Sequence, residues 1–319
     1  MKKILITGGA GFIGSHLIKN LINENKIICI DNFNDFYNPK IKEKNISPFL
    51  SNKNFILFRN DITEPDIFNK IFSVHSDIEI VVHLAARAGV RQSIENPEIY
   101  IDTNIKGTYY LLEAMRKYNI NKLIFASSSS IYGNNKKIPF SENDRVDNMI
   151  SPYAITKRTG ELLCFNYHHL YKLNVFCLRF FTVYGPSQRP EMAIHYFTDK
   201  IFNDKEIPVF GDGLQQRDFT YIDDIIDGVL KAIDKCNSFD IFNLGESQSI
   251  ELVKVINLIG KYLNKEVKIK YYPANEADVR LTYADISKAK KYLGYSPKTK
   301  IEDGLRLFIN WYLEQKKIF

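Results

Sequence analysis

A chain of 319 residues is long enough to bury a sizeable core and to form two closely joined lobes. Its 45% hydrophobic and 25% charged residues are ordinary for a globular protein, and no apolar run is long enough to cross a bilayer. The net charge of +6 comes from 43 basic and 37 acidic residues interspersed without a dense basic block, which argues against a nucleic-acid protein and is compatible with an anionic small molecule as substrate.

The opening residues Met1 to Gly8 carry two lysines before an apolar run. The run is too short for a secretory leader and meets glycine at once, so it reads as a first β-strand. Cys29, Cys164, Cys177 and Cys236 lie far apart, with no Cys-x-x-Cys pair and no clustered histidines, which argues against a disulfide framework or a zinc site and fits a reducing cytoplasm.

In chain order, short β-branched runs at Lys3 to Thr7, Ile27 to Ile30, Phe55 to Phe58, Ile78 to His83, Lys122 to Ser127 and Val175 to Arg179 predict strands. Between them, Ile13 to Asn23, Pro65 to Phe72, Pro97 to Lys117 and Tyr153 to Tyr171 predict helices, with Thr63, Asn96 and Ser151 as caps and a proline in three first turns. This alternation predicts an α/β fold, a doubly wound parallel sheet covered by helices. After Arg179 the pattern loosens, with Gly211-Asp212-Gly213 as a turn, Asp218 to Ile233 as a strand end and helix, a strand at Val267 to Tyr271 and a last helix around Trp311. The expected division is a dinucleotide-binding domain over residues 1–180 plus about 218–245, and a smaller C-terminal α/β substrate lobe from 181–217 and 246–319.

Thr7-Gly8-Gly9-Ala10-Gly11-Phe12-Ile13-Gly14 follows the first strand and opens the first helix, the context in which a glycine motif binds a dinucleotide. Glycines let backbone N–H groups approach a pyrophosphate that the helix N-terminus favours electrostatically. Asp31 ends the second strand, where an acid accepts from the adenosine ribose hydroxyls, so NAD is expected over NADP; Asn32 follows it. Asp61 and Ile62 are expected to bracket the adenine. Tyr153 and Lys157 stand four apart on one helix face, so the cation is expected to lower the phenol pKa and make it a base.

Together these residues resemble the extended short-chain dehydrogenase/reductases that act on nucleotide sugars, a resemblance that spans nearly the whole chain. It is carried by Thr7 to Gly14, His83-Leu84-Ala85-Ala86, Asn104, Ser127 to Gly133, Tyr153-x-x-x-Lys157, Arg179 to Pro186 and Arg217 to Asp224. It implies a Rossmann-type lobe holding NAD, with Leu84, Ala85, Ala86 and Asn104 beside it, a C-terminal lobe holding a UDP-sugar, and a catalytic set of Ser128, Tyr153 and Lys157. Within the family, Asp31 to Tyr37, Ala88 to Arg91, Ser141 to Arg145 and Tyr184 to Ala193 look most like UDP-glucuronate 4-epimerases. Arg87 and the Ser187-Gln188 pair depart from that pattern.

The expected reaction is oxidation of the sugar at C4 by NAD, rotation of the 4-keto sugar and return of hydride to its other face, with Ser128 holding the C4 oxygen. A uronic acid then becomes a β-keto acid prone to lose carbon dioxide. Ser129, Ser130, Thr182 and Arg189 are the candidates for pinning its carboxylate. Arg217 and Arg280 are expected on the diphosphate, Arg91 near the sugar, and Val209 and Phe210 around the uracil. Epimerisation of UDP-glucose or UDP-N-acetylglucosamine, decarboxylation of UDP-glucuronate, and a non-catalytic NAD-binding regulator are the alternatives. A dehydratase is disfavoured because Ser127 to Ser130 contains no acid. His168-His169 reads as a helix-surface pair, and no metal site is expected. Family members suggest a homodimer through a four-helix interface.

Overall fold

Alternate residues of the first strands belong to opposite apolar faces. Ile4, Ile6, Ile27, Cys29, Val82 and Ile124 lie in one buried cluster; Leu5, Ile28, Ile30, Val81, Leu123 and Phe125 lie in another. A strand buried on both faces is what a parallel sheet sandwiched by helices requires. The computed structural model, which describes residues 1–274 and 279–317, has that architecture.

The first half runs β1 (Lys3–Thr7), α1 (Phe12–Leu21), β2 (Lys26–Ile30), α2 (Pro39–Ile46), β3 (Phe55–Phe58), α3 (Ile67–Val74) and β4 (Ile80–His83). It continues through α4 (Val90–Glu95), α5 (Pro97–Tyr100), α6 (Gly107–Lys117), β5 (Lys122–Ser128), α7 (Pro152–Tyr171) and β6 (Asn174–Phe180). The second half holds β7 (Thr182–Tyr184), α8 (Ala193–Phe202), β8 (Ile207–Phe210), β9 (Gln216–Tyr221), α9 (Ile222–Lys235) and β10 (Phe239–Leu244). It ends with β11 (Ser249–Glu251), α10 (Leu252–Leu263), β12 (Ile269–Tyr272), α11 (Ser287–Leu293) and α12 (Ile301–Lys317).

Seven strands form one sheet in the order β10-β6-β5-β4-β1-β2-β3, and every pairing in it is parallel. The strand order reverses between β1 and β4, the crevice where open α/β sheets bind ligands. Two small sheets, β11-β9-β7 and β12-β8, are built from strands that follow β6, three of them from the segment between β6 and β10.

Two expected helix starts differ from the sequence reading. Thr63 does not cap α3: its N–H and hydroxyl both go to Asp61 Oδ1, each at 2.8 Å, in a local turn, and the helix begins after Asp66. Asn96 precedes Pro97 without a side-chain capping bond, and the expected helix from Pro97 to Lys117 is interrupted by a π-helical stretch, Ile101–Lys106. Ser151 does cap α7, its hydroxyl accepting from Ala154 N at 3.2 Å with Pro152 in the first turn. A cap of this kind contributes about 1 kcal/mol. Among the described residues no helix is long and apolar enough to cross a membrane, and no cluster of metal-ligating side chains occurs. All four cysteines are buried free thiols.

Candidate active site

A cavity of about 470 Å³ opens at the strand-order reversal. The loop after β1 forms its floor. Gly8 sits at φ +70°, and a Cβ there would lie 2.7 Å from Ala85 N, so only glycine fits. Gly11 stands at the N-cap of α1 without a side-chain cap, leaving the helix N-terminus open toward the cavity that Gly11, Phe12, Ile13 and Gly14 line. A bare cradle on an uncapped helix N-terminus suits a diphosphate.

Asp31 is buried at the cavity edge, accepting from Ala10 N at 3.2 Å and Phe33 N at 3.0 Å. It also pairs with Lys42 Nζ at 3.3 Å, both side chains buried, a partner from α2 that the sequence reading missed. Asn32, Ile62, Leu84, Ala85 and Ala86 line the same side. Asp61 does not line the cavity; its carboxylate accepts from Asn32 Nδ2 and closes its own turn with Thr63. These residues fit a dinucleotide: anion cradle, ribose acceptor and apolar walls converge in one cleft.

The catalytic candidates stand where β5 meets α7. Three consecutive β5 residues are gripped by three successive turns of the helix. Ser128 acts on the Tyr153 phenol and pulls its pKa down, Ala126 O accepts from Lys157 Nζ at 2.7 Å, and Ser127 Oγ donates to Glu161 Oε1 at 2.6 Å. Glu161 is in turn held by Arg179 at 2.8 and 2.9 Å, a fully buried ion pair that sequence spacing does not reveal because it joins α7 to β6. Breaking such a pair from one side costs about 3–5 kcal/mol, so the register of α7 on β5 is firmly set.

Electrostatics at the phenol differ from expectation. Burial pushes Tyr153 above the usual tyrosine value, while the Ser128 hydroxyl and the positive charge of Arg189 pull it back. Lys157 Nζ donates one hydrogen bond to Ala126 O, and burial lowers its own pKa to about 8 against the raising influence of Cys164 and Glu161. Arg189, which also lines the cavity, adds a positive charge that acts on the phenol.

Ser129 and Ser130 follow Ser128 in a 3-10 turn, with Ser130 N and Oγ both directed to Ser128 Oγ at 3.2 and 2.9 Å. Together with Thr182, Arg189 and Arg217 they line the same cavity as the glycine loop. Arg189 Nε lies 3.3 Å from Glu191 and its Nη2 3.5 Å from Met192 Sδ.

Other expectations fall outside the cavity. Asn104 is buried and serves as a brace: its amide bonds both Arg87 backbone groups, at 2.8 and 2.9 Å, and Thr156 Oγ1 at 3.0 Å. That brace accounts for its place in the π-helical stretch. Val209 is a core residue, 1% exposed, because it faces inward from the β8-β12 pair; it is not a cavity wall. Phe210 packs under the Arg91 guanidinium, 4.4 Å from ring centroid to Cζ, so these two meet each other outside the cavity lining. Arg280 is exposed and pairs with Asp212 at 3.5 Å. Among cavity residues the sequence reading did not assign are Phe36, Tyr37, Lys42 and Arg87. His83, from the resemblance motif, is structural: its ring joins Thr7 and Thr108 at 2.7 and 3.0 Å, and burial lowers its pKa to about 3, keeping it neutral.

A parallel sheet with a glycine cradle at its switch point and a Ser-Tyr-Lys set beside it defines a nucleotide-dependent oxidoreductase-type site of the short-chain dehydrogenase/reductase kind. The sequence pattern of the NAD dependent epimerase/dehydratase family matches residues 4–245, and the chain belongs to that family. It is 49% identical over 318 residues to an uncharacterized protein of Methanocaldococcus jannaschii, covering 99% of this chain and 97% of that one. It is 45% identical over 309 residues to a UDP-glucuronate 4-epimerase of Thermodesulfobacterium geofontis, covering 96% and 95%. The crystal structure of a UDP-glucuronic acid 4-epimerase from Bacillus cereus in complex with UDP-glucuronic acid and NAD superposes with a TM-score of 0.92 at 37% identity, covering 99% of this chain and 100% of that one.

Proposed function

We propose that the protein is an NAD-dependent UDP-sugar 4-epimerase that interconverts UDP-glucuronate and UDP-galacturonate through a 4-keto intermediate. The observation that carries this reading is the meeting, in one cavity, of the Tyr153 and Ser128 pair with the Ser129, Ser130, Thr182 and Arg189 wall and the glycine cradle. Similarity to UDP-glucuronate 4-epimerases over almost the whole chain supports it.

Gly8, Gly11 and the start of α1 hold the cofactor diphosphate, and Asp31 holds its adenosine ribose. Bound NAD supplies the acceptor for the C4 hydride and gives it back, so no net oxidation results. Tyr153, as phenolate, takes the proton of the sugar 4-hydroxyl and later returns it. Ser128 holds the C4 oxygen in both its hydroxyl and ketone states. Lys157 fixes the end of β5 through Ala126 O and places a positive charge behind the phenol. Arg217 binds the substrate diphosphate. Ser129, Ser130, Thr182 and Arg189 hold the C5 carboxylate out of line with the C4 carbonyl π system, which suppresses decarboxylation.

The same reading places the NAD-binding unit in residues 1–180 plus about 218–245 and the sugar-binding unit in 181–217 and 246–319. It also makes the protein cytoplasmic, in keeping with four free thiols. A homodimer forms through α6 and α7, whose exposed apolar residues are otherwise unexplained.

NMR of the sugar products after incubation with UDP-glucuronate tests the reading. UDP-galacturonate should accumulate to an equilibrium mixture without a build-up of NADH. A UDP-pentose as the main product would reassign the protein as a decarboxylase, and turnover of UDP-glucose or UDP-N-acetylglucosamine alone would reassign its substrate.

A further inference from the structure

The segment Asp31 to Tyr37 follows β2 and begins at the ribose-side Asp31, yet its end, Phe36 and Tyr37, approaches Arg189. Its shape is built in. Asp31 accepts from Phe33 N at 3.0 Å, Asn32 from Asn34 N at 3.1 Å, Asn34 from Phe36 N at 3.2 Å, and Asn38 from Lys40 N at 3.1 Å. Such a chain of side-chain-to-backbone turns fixes the loop before any ligand arrives.

Near its end the Phe36 ring meets two cations, with Arg87 Cζ 5.7 Å and Arg189 Cζ 5.6 Å from its centroid. Tyr37 follows beside Arg189, whose charge acts on its phenol. Phe36, Tyr37, Arg87 and Arg189 all line the cavity. The Arg189 charge also acts on Tyr153. An aromatic ring attracts a guanidinium through its π face and uses up none of its N–H donors. Arg189 Nε already faces Glu191 at 3.3 Å, and a second carboxylate in place of the ring would engage the remaining donors that a sugar carboxylate needs.

We propose that Phe36 is the positioning residue for Arg189, so that the loop beginning at the ribose-binding Asp31 also sets how the C5 carboxylate of the sugar is held. This rests on the epimerase reading above. The consequence concerns product as well as affinity. When the carboxylate swings into line with the C4 ketone, the C5–C6 bond breaks and its electron pair moves onto the ketone oxygen as an enolate. Carbon dioxide leaves, a proton adds at C5, and the C4 carbonyl is reduced by the hydride that its own oxidation released, giving a UDP-pentose. A firmly seated Arg189 keeps that path closed.

The test uses the full-length holoenzyme and the variants Phe36→Leu, which keeps apolar volume without a π face, and Phe36→Tyr, which keeps the face. Phe36→Leu should raise the KM for UDP-glucuronate roughly tenfold, the size of a partly desolvated cation–π contact. It should also increase the UDP-pentose fraction in the products while bound NAD stays stoichiometric. Phe36→Tyr should restore both, and in an Arg189→Ala background Phe36→Leu should add little, the mark of two residues acting as one unit. Unchanged KM and product ratio in Phe36→Leu, or full additivity with Arg189→Ala, overturns the proposal while leaving the epimerase reading intact. Loss of bound NAD in Phe36→Leu also overturns it, by placing Phe36 in the cofactor half. A wild-type enzyme inert toward UDP-glucuronate overturns both.

Discussion

Tyr153 and Lys157 lie one turn apart on α7, but their side chains serve different partners. Ser128 acts on the phenol, the ammonium donates to Ala126 O, and the Arg189 charge adds to the acidifying influences on Tyr153. The candidate catalytic residues were readable in the sequence as local patterns, Tyr-x-x-x-Lys and the serine run, and Ser128, Tyr153 and Lys157 line one cavity. The Arg189 contribution to the phenol's electrostatics was not, because it comes from a loop more than thirty residues downstream. The Lys42 partner of Asp31 was hidden in the same way: its helix alone reads as a solvated surface. Burial lowers the Lys157 pKa to about 8, so its charge is complete well below that pH and lost as pH rises through it. The account therefore predicts a falling limb in kcat near pH 8 for the wild type. In Lys157→Arg, whose guanidinium does not titrate in this range, that limb should disappear even though the rate is lower. A falling limb unchanged in that variant would assign it to another group.

α7 illustrates what a sequence pattern conveys about an element and what it omits. Its start was readable from Ser151-Pro152, its length from periodicity, and its catalytic face from the tyrosine and lysine. The grip of Glu161 on Ser127 and Arg179 was not, since all three look like ordinary polar residues until β5 and β6 are placed side by side. The strand β10, which completes the main sheet, also escaped the reading. Its polar and aromatic composition carries no continuous β-branched run, and its place is set by pairing with β6. The outer face of α7 exposes Ile155 at 49%, Leu162 at 52% and Phe165 at 50%, while α6 exposes Tyr109 at 45%. Ile155, Leu162 and Phe165 follow helical spacing, so they form one apolar stripe. If α6 and α7 pack against their copies, Leu162→Glu should convert the dimer to a monomer in sedimentation velocity without loss of bound NAD. A dimer that survives this change would place the interface elsewhere.

At the scale of the whole molecule, the strand-order reversal puts the glycine cradle, the α7 catalytic face and the segment from Thr182 to Arg189 around one cavity. The first half was legible because parallel strands and their helices announce themselves by alternating periods. The second half was only partly legible: β7, β8, β9, β11 and β12 are short and divided between two small sheets, so local sequence does not specify their partners. That is why Val209 was expected at a ligand and belongs to the core. The central claim is that one hydride leaves C4 and returns to the same carbon on its other face. Turnover of UDP-glucuronate deuterated at C4, followed by NMR of the UDP-galacturonate formed, tests this most directly. The account predicts that the deuterium is retained at C4 with no label taken from solvent. Loss of the C4 deuterium to water, or incorporation of solvent hydrogen at C4 or C5, would contradict it.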